Sequence, residues 1–477
     1  MAECAVLWLR QDLRLADHAA LRAALAGART VVPVYVWAPQ DEGDWPPGAA
    51  SRWWLHHSLS ALAQALGKAG SRLVVRTGTA AAALAALARE CGADTVHAHA
   101  RAEPAARAQE RTVHAALAAQ GARLELHAGA LLADPEHLRT GGGAPYRVFA
   151  PFQRAVMGTD PVRALLARPR KLPPVPDAVT GVDIAALGLL PDRPWDAGLA
   201  ARFNPGEAGA QARLAALDDG LALAYARERD TPAHDATSLL SAHLHFGEIS
   251  PAQLLAALAE RSGAGPVALV RELVWREFCQ HLLWHCPDLP DAPLDLRYAG
   301  FAWRTDGAEL RAWQRGRTGF PFVDAGMAQL WHTGHMHARA RMVAATVLTK
   351  HLMADWRAGA RWFWDTLVDA DLANNTVNWQ WVAGTGADAA PYFRVMNPVL
   401  QGQRFDPDGA YVRAWVPALA RLPARWIHAP WQAPGSTLRA AGIALERDDP
   451  LPVVDLAAGR ARFLDAAKNH LARASAA

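Results

Sequence analysis

The stretch Asp369-Ala-Asp-Leu-Ala-Asn-Asn-Thr-Val-Asn-Trp-Gln-Trp381 is the most informative segment of the sequence. It holds two aspartates, three asparagines and two tryptophans within thirteen residues. It lies in the region after about residue 206, where apolar residues recur with helical spacing and no strand pattern of weight appears. The C-terminal half is therefore predicted to be all-helical, and this segment is its first candidate for a functional site.

The N-terminal part follows a different pattern. Short apolar runs alternate with alanine-rich helical stretches, and this alternation predicts a parallel sheet with helices on both faces. The predicted strands are Ala5–Leu9, Val31–Val36, Leu73–Arg76, Thr95–Ala98 and Arg123–His127, and the predicted helices are 17–26, 51–69, 79–91 and 104–119. No GxGxxG follows the first strand, so the fold alone names no ligand.

Three regions are predicted: an α/β domain at 1–130, a linker at 131–205 and a helical domain at 206–477. The linker contains Gly141–Gly143 and proline-rich stretches, and it reads as a long connecting loop. In the helical domain, Ser250, Pro251 and Gln253 form a predicted capping box. Helices are expected at 251–261, from Pro266 to near Pro287, and at 321–333, 335–353 and 360–371.

The overall composition is that of a soluble globular protein. The 477 residues suggest two or three domains, and 51% are hydrophobic and 20% charged. A net charge of +3 permits a nucleic-acid partner without requiring one. The four cysteines form no CxxC pair, so free thiols in a reducing cytoplasm and no metal site are expected. No signal peptide is recognisable. The sequence has no run of 18 or more apolar residues, so no membrane span is expected.

A second motif is Arg271-Glu-Leu-Val-Trp-Arg-Glu-Phe278. On a helix, Glu272 and Trp275 share one face, whereas Leu273, Val274 and Phe278 can face the core. An ordinary amphipathic helix would explain most of this pattern. A carboxylate beside an indole also suits a pocket that hydrogen-bonds and stacks on a base.

Together these motifs resemble the DNA photolyase/cryptochrome family, and most closely the class I cyclobutane pyrimidine dimer photolyases. The resemblance also includes Trp8–Leu21, His243–Ser250, Thr333–Met342 and Asp388–Gly409, so it covers nearly the whole chain. It implies a Rossmann-like antenna domain and a helical FAD-binding domain. The implied function is light-driven repair of pyrimidine dimers in ultraviolet-damaged DNA by electron transfer from excited reduced FAD, with the dimer flipped out of the duplex.

The resemblance also assigns roles to individual residues. The predicted FAD contacts are Tyr225, Thr237, Ser238, Leu239, Leu240, Ser241, Asp369, Asp371 and Asn375. The predicted DNA or lesion contacts are Arg229, Glu272, Trp275, Arg339, Met342 and Trp381. Glu272 would stabilise charge on the lesion, Trp275 and Trp381 would stack on it, and Asn375 would face the flavin N5. Trp379, Trp356 and Trp303 match the electron-transfer chain of the family.

Several positions depart from the family pattern. His335 and Ala338 replace a tryptophan and an asparagine, Asn378 stands where glycine is usual, and Leu239 replaces an arginine. Ala338 and Met342 are not the histidine pair of (6-4) photolyases, so that substrate is not expected. These departures favour the main alternative, a cryptochrome that senses light without repair. Asn375 opposes it, because plant cryptochromes carry aspartate there.

Less is implied about the remaining properties. Folate-binding relatives carry an asparagine–glutamate pair at the positions aligned with Ala105 and Ala106, so a folate antenna is not expected. A deazaflavin, a second flavin and an empty cleft are the alternatives. A third functional class, a flavin oxidoreductase with a nicotinamide partner, has no supporting fingerprint. A cytoplasmic monomer that associates with the nucleoid when bound to DNA is expected.

Overall fold

The computed structural model describes residues 2–159, 161–304 and 307–474, without the side chains of 218 and 219. The chain divides into two compact units. The first comprises Met1–Ala226, Ser238–Pro287 and Val368–Ala373, and the second comprises Arg227–Thr237, Asp288–Leu367 and Asn374–Ala477. The strands all lie in the first unit: β1 Ala2–Leu9, β2 Ala28–Trp37, β3 Val74–Thr77, β4 Thr95–His99 and β5 Arg123–His127.

The helices occupy much of the rest of the described chain. They are α1 Ala19–Gly27, α2 Ala49–Lys68, α3 Ala80–Cys91, α4 Pro104–Ala118, α5 Phe149–Gly158, α6 Ala197–Arg202, α7 Glu207–Ala216, α8 Ala222–Glu228, α9 Ser241–His245, α10 Pro251–Ala259, α11 Ala264–His285, α12 Gly307–Gln314, α13 Pro321–Thr333, α14 Ala338–Thr346, α15 Trp356–Thr366, α16 Leu372–Ala383, α17 Pro398–Phe405, α18 Ala410–Trp415, α19 Ala424–Ile427, α20 Gly435–Ala441 and α21 Leu456–Ala474.

The predicted α/β plus all-α fold class is confirmed. The five strands are parallel in the order β3-β2-β1-β4-β5. Successive side chains of a strand point to opposite faces of a sheet. Accordingly Leu7 and Leu9 belong to one hydrophobic core, whereas Val6 and Trp8 belong to another. The sheet is therefore buried on both sides, as its nearly continuous apolar strands predict.

Predicted and observed helix boundaries agree best where the sequence contains a recognisable capping motif. The capping box of Ser250 and Gln253 is present at the start of α10. Two other helices begin away from the predicted positions, because His337 and Asp355 accept the backbone N–H groups of the residues two further on and so cap α14 and α15. The predicted helix 335–353 is thus α14 continued by a π-helical segment, Val347–His351.

The segment 131–205 is not entirely loop, because it contains α5 and α6. On α5, Phe149, Phe152 and Val156 are buried at helical spacing. Both phenylalanine rings contact Phe278 of α11. The glycine and proline residues around this segment had hidden its short apolar stripe. All four cysteines are free thiols. None of the helices in the described ranges is long and apolar enough to cross a membrane.

Candidate active site

In the first unit, a cleft opens where the order of the strands reverses. Arg10 and Asp12 follow β1, and Arg101 and Glu103 follow β4, which is the neighbour of β1 on the side opposite β2. Parallel α/β sheets bind ligands in the crevice at such a switch point, outside the carboxyl ends of the strands. The cleft is thus a candidate ligand site. Among the matched motifs, only Trp8–Leu21 touches it.

The charged groups of this cleft are paired with one another. Arg101 Nη2 lies 2.9 Å from Glu103 Oε1, and Arg10 Nη2 lies 2.7 Å from Glu110 Oε1. Asp12 Oδ2 lies 2.8 Å from His99 Nδ1. Buried charges need such partners, because removal from water is otherwise costly. The cleft therefore presents a preorganised polar lining rather than loose surface charge.

Helix α11 carries the Arg271–Phe278 motif. Leu273, Val274 and Phe278 are buried, which confirms the predicted core face. Glu272 is exposed, and the half-buried Trp275 stacks on Phe149 with ring centroids 3.7 Å apart and planes only 3° apart. One face of the Trp275 indole is therefore fixed by α5. Glu272 and Trp275 lie away from the core face, as the spacing predicts.

Glu277, in the same motif, was not singled out by the sequence pattern. It is buried, and its carboxylate accepts hydrogen bonds from the Leu132 N–H at 2.7 Å and from Arg276 Nη1 at 2.9 Å. Burial raises the pKa of Glu277 to about 6, against the lowering effect of Arg276. Its role is to hold the segment that leaves β5 against α11. The only sequence signal was a second acidic residue on a mostly apolar helix.

Two of the predicted cofactor residues in the first unit, Asp369 and Asp371, accept side-chain hydrogen bonds, the second from Gln280, which was not predicted. The Ser241 Oγ donates to Asp369 Oδ2 at 2.7 Å, and Gln280 Nε2 donates to Asp371 Oδ2 at 2.9 Å. Gln280 also lines the cleft. The structure therefore brings Asp369 to the 238–241 segment, although more than a hundred residues separate them.

The other predicted FAD contacts lie at 225 and 237–240, and one of them has an unusual backbone conformation. Leu239 has φ of 53°, in the left-handed region that side chains such as leucine seldom enter. Tyr225, Leu239 and Leu240 are buried, whereas Ser238 is half-buried. Thr237 belongs to the second unit. A strained backbone of this kind persists only where surrounding contacts hold it, and it is often associated with ligand sites.

In the second unit, Asn375 lies on α16 and is 8% exposed. Its Nδ2 donates to the Ala360 carbonyl at 2.9 Å. No partner for its Oδ1 is found among the described residues. Asn378, three residues on, remains helical and donates to the Asn374 carbonyl at 2.7 Å. The asparagine that replaces the usual glycine therefore causes no break in α16.

The three predicted electron-transfer tryptophans all lie in the second unit, with different exposure. Trp379 and Trp356 are buried, and Trp303 is half-buried against Phe301 at 4.6 Å. Trp379 makes edge contacts with Trp313 at 6.0 Å and with Phe363 at 5.0 Å. Trp313 is fully buried, and its N–H donates to the Ala344 carbonyl. It was not predicted, since no motif surrounds it.

Trp381 faces another direction from Trp379. Two residues correspond to about 200° around a helix, so the two indoles of α16 lie on nearly opposite sides. Trp379 is buried and Trp381 is half-buried. The single helix therefore places one tryptophan in the core and the other nearer the surface of its unit.

Arg339 is committed to an ion pair. Its guanidinium donates to both oxygens of Asp230 at 2.9 and 2.7 Å and lies 4.9 Å from the centroid of Phe405. Although burial alone would raise it, these hydrogen bonds lower the pKa of Asp230. Arg229 Nε lies 3.8 Å from Asp230, and Met342 Sδ lies 3.8 Å from Arg339. The structure thus brings three predicted DNA contacts together around an aspartate that was not assigned a role.

In the motif that contains the substituted positions 335 and 338, a histidine side chain caps the helix. His337 caps α14, and burial lowers its pKa to about 4, so it is neutral. His335 is buried, whereas Ala338 is exposed. The missing asparagine therefore removes an amide from an exposed position without opening the core.

Known proteins are similar to almost the whole of this chain. Residues 5–174 match the family model "DNA photolyase", and residues 269–469 match "FAD binding domain of DNA photolyase". A deoxyribodipyrimidine photo-lyase of Agrobacterium fabrum is 45% identical, covering 97% of each chain. A crystal structure of a bacterial class III photolyase from Agrobacterium tumefaciens has 44% identity and a TM-score of 0.95, covering 98% of both chains. Cryptochrome-1 of Arabidopsis thaliana is 36% identical, covering 97% of this chain and 70% of its own.

Proposed function

The chain belongs to the DNA photolyase/cryptochrome family, and we propose that it uses light to repair cyclobutane pyrimidine dimers in DNA. The observation that carries this proposal is the full-length similarity, at 45% identity, to a deoxyribodipyrimidine photo-lyase. Cryptochrome relatives are less similar, at 36% or below. The enzyme is accordingly a carbon–carbon lyase.

The cofactor is FAD, and the residues of each unit fit it. In the first unit, Asp371 and the strained turn at Leu239 offer a buried acceptor and a preformed backbone. In the second unit, Asn375 has an amide oxygen that no described residue uses. A neutral amide beside the flavin suits a cofactor that is stored fully reduced. We infer that Tyr225, Thr237, Ser238, Leu240, Ser241 and Asp369 complete the binding residues.

When bound, FAD supplies light absorption and reversible donation of one electron. In the net reaction the two carbon–carbon bonds that join the pyrimidines break, the donated electron returns, and no net oxidation results. Glu272 stabilises the charge that develops on the pyrimidine bases. Trp275 and Trp381 stack on the lesion, and base stacking of this kind contributes about 1–3 kcal/mol for each base. The lesion must leave the duplex, because photolyases, like other enzymes that act on bases, work on flipped-out nucleotides.

DNA binding would rest on phosphate contacts made around Arg339 and Arg229. Their proximity to Asp230 means that a phosphate must compete with a carboxylate. This competition limits non-specific binding, which grows with every cation that can neutralise a phosphate. Met342 lies beside the same guanidinium. We infer a monomer that works in the bacterial cytoplasm and associates with the nucleoid through this contact.

Electrons would reach the cofactor through Trp303, Trp356 and Trp379. The exposure of these indoles falls from Trp303 to the two buried ones, as required for a path that starts at solvent. In the first unit, the cleft lined by Arg10, Arg101 and Gln280 is our candidate for an antenna chromophore. A flavin or deazaflavin would suit its paired charges, and no asparagine–glutamate pair is present at Ala105 and Ala106 for a folate.

The test is repair of ultraviolet-irradiated oligothymidine. We expect the reduced holoenzyme under blue light to restore thymines, and we expect none in darkness or without flavin. Glu272→Gln should slow repair, while flavin absorbance and binding of damaged DNA persist. Damage that survives illumination with the reduced holoenzyme would overturn the proposal.

The cryptochrome alternative is favoured by Ala338 and His335, which replace residues expected of a repair enzyme. It predicts stable flavin photochemistry with no loss of dimers in the same assay. Within the photolyases, the motifs suggest a class I-like enzyme, and the similar class III structure suggests the other subclass. Both subclass proposals entail the same reaction, so the repair assay tests the function independently of the subclass.

A further inference from the structure

Three side chains of metal-binding type meet at one edge of the parallel sheet. His97 lies on β4, and Glu125 and His127 lie on β5, the edge strand. In the β4–β5 register, His97 pairs with Glu125 and His99 pairs with His127. Residues two apart on a strand share a face, so His97, Glu125 and His127 project from the same side of the sheet.

The distances within this group suit a single metal ion. His97 Nδ1 lies 3.0 Å from His127 Nε2 and 3.4 Å from Glu125 Oε2. Two ligands that bind zinc tetrahedrally, each at about 2.0–2.1 Å, are about 3.3 Å apart. All three ligand atoms lie within 4.8 Å of one another. Two of the three separations therefore lie near the value that coordination requires, and a metal would displace the proton that His97 and His127 share by hydrogen bonding.

The carboxylate of the group is held in place by a neighbouring arginine. Arg123 Nε donates to Glu125 Oε1 at 2.9 Å, which leaves Oε2 on the side of His97. The arginine thus orients the carboxylate as an outer-shell partner does in known metal sites.

We propose that His97, Glu125 and His127 form a binding site for Zn²⁺ or a related divalent transition metal, with water as the fourth ligand. Two imidazoles and one carboxylate are a ligand set that zinc accepts. His127 and Glu125 are only partly buried, so an ion and a water molecule can enter.

A second cluster of possible metal ligands in the same unit is less suited to bind a cation. Asp12, His18 and His99 also lie close together. However, His18 Nδ1 already accepts the Leu21 N–H at 3.1 Å, and Asp12 Oδ1 accepts the Arg10 N–H at 2.6 Å. The group is fully buried, with Arg14 beside it. The positive charge of Arg14 opposes a cation there, so the proposal is confined to His97, Glu125 and His127.

The experiment is a titration of the tag-free, flavin-loaded chain, freed of metal, with Zn²⁺ in a calorimeter and with Co²⁺ in a spectrometer. We expect one Zn²⁺ per chain and the intense visible bands of four-coordinate Co²⁺. Separate His127→Gln and Glu125→Gln variants should weaken Zn²⁺ binding at least about tenfold. The matched control is His114→Gln, because His114 is an exposed histidine on α4 of the same unit, and its affinity should equal that of the unmodified chain.

Unchanged affinity in His127→Gln, with an unchanged thermal unfolding curve, would overturn the proposal. A second measurement does not depend on any variant folding. Zn²⁺ should protect His127, but not His114, of the unmodified chain against acylation by diethyl pyrocarbonate, read by mass spectrometry. Equal labelling of His127 with and without Zn²⁺ would likewise reject the site. Neither readout involves repair, so failure here is distinguishable from failure of the proposed lyase activity.

Discussion

Trp275 and Trp379 are both motif tryptophans, and their surroundings differ in kind. Trp275 is half-buried and lies flat on Phe149, at 3.7 Å between ring centroids. Trp379 is 3% exposed and meets Trp313 and Phe363 edge-on, at 6.0 and 5.0 Å. An indole that retains exposure can stack on a ligand, whereas a sealed one can only exchange charge. The difference teaches that burial, rather than residue type, separates the two proposed roles.

The largest difference between the two tryptophans is expected in light-driven reduction of the flavin. Because a benzene ring is much harder to oxidise than an indole, Trp379→Phe should abolish photoreduction of bound FAD by an external reductant. Trp275→Phe should leave the rate unchanged. Flavin absorbance under blue light measures both. Trp313→Phe is the matched control, since Trp313 is equally buried and touches Trp379 but lies outside the proposed chain. A normal rate in Trp379→Phe would remove the electron-transfer role.

The converse substitution concerns binding. Trp275→Ala should weaken binding of dimer-containing DNA by about 1–3 kcal/mol, since a base loses its stacking partner. That loss is roughly a 5- to 150-fold rise in Kd. Fluorescence anisotropy with damaged and undamaged duplexes measures it, and only the damaged duplex should respond. Trp275→Phe should recover most of the affinity. Equal losses for both duplexes would show that Trp275 supports the helix rather than the lesion.

The sealed environment of Trp379 can be tested through its neighbour Gly359. A Cβ at this position would collide with the Trp379 ring and with Leu348. Gly359→Ala should therefore destabilise the fold by about 1–3 kcal/mol, as overpacking of a core does. Urea unfolding measures the loss. Gly67→Ala on α2 is the control, because its Cβ would meet nothing within 4 Å. An unchanged free energy of unfolding in Gly359→Ala would mean that the indole is free to move.

Much of the fold and part of the candidate site could be predicted from the sequence, and the remaining features could not, for physical reasons. Short apolar runs between helical stretches predicted the sheet, helical spacing predicted most helices, and the spacing of Leu273, Val274 and Phe278 predicted the core face of α11. The motifs grouped the other tryptophans but did not reveal Trp313, which lies outside every motif and contacts Trp379 in the core. Nor could they reveal that Arg339 pairs with Asp230 or that Glu277 holds Leu132. Such contacts join residues distant in sequence, where local pattern carries no information.

The smallest expected effect concerns Glu277, a buried acid on α11, the helix that carries Trp275; α16, the helix that carries Trp379, has no acidic residue. Burial raises the pKa of Glu277 from 4.5 to about 6. The folded state thus binds its proton more tightly than the unfolded state, so this stabilisation is present below about pH 4.5 and is lost as the pH rises through about 6. The shift corresponds to about 2 kcal/mol.

Glu277→Gln should flatten the pH dependence of the free energy of unfolding between about pH 4 and pH 7 by about 1–2 kcal/mol. Its amide oxygen can still accept the Leu132 N–H, so the fold is retained. Urea unfolding at a series of pH values measures the slope, and Glu260→Gln, which alters an exposed glutamate at the end of α10, provides the control. Parallel curves for Glu277→Gln and the unmodified chain would show that the pKa of Glu277 is the same in the folded and unfolded states. Trp275 and Trp379 would then differ in their packing, and not in a titrating group on the helix that carries them.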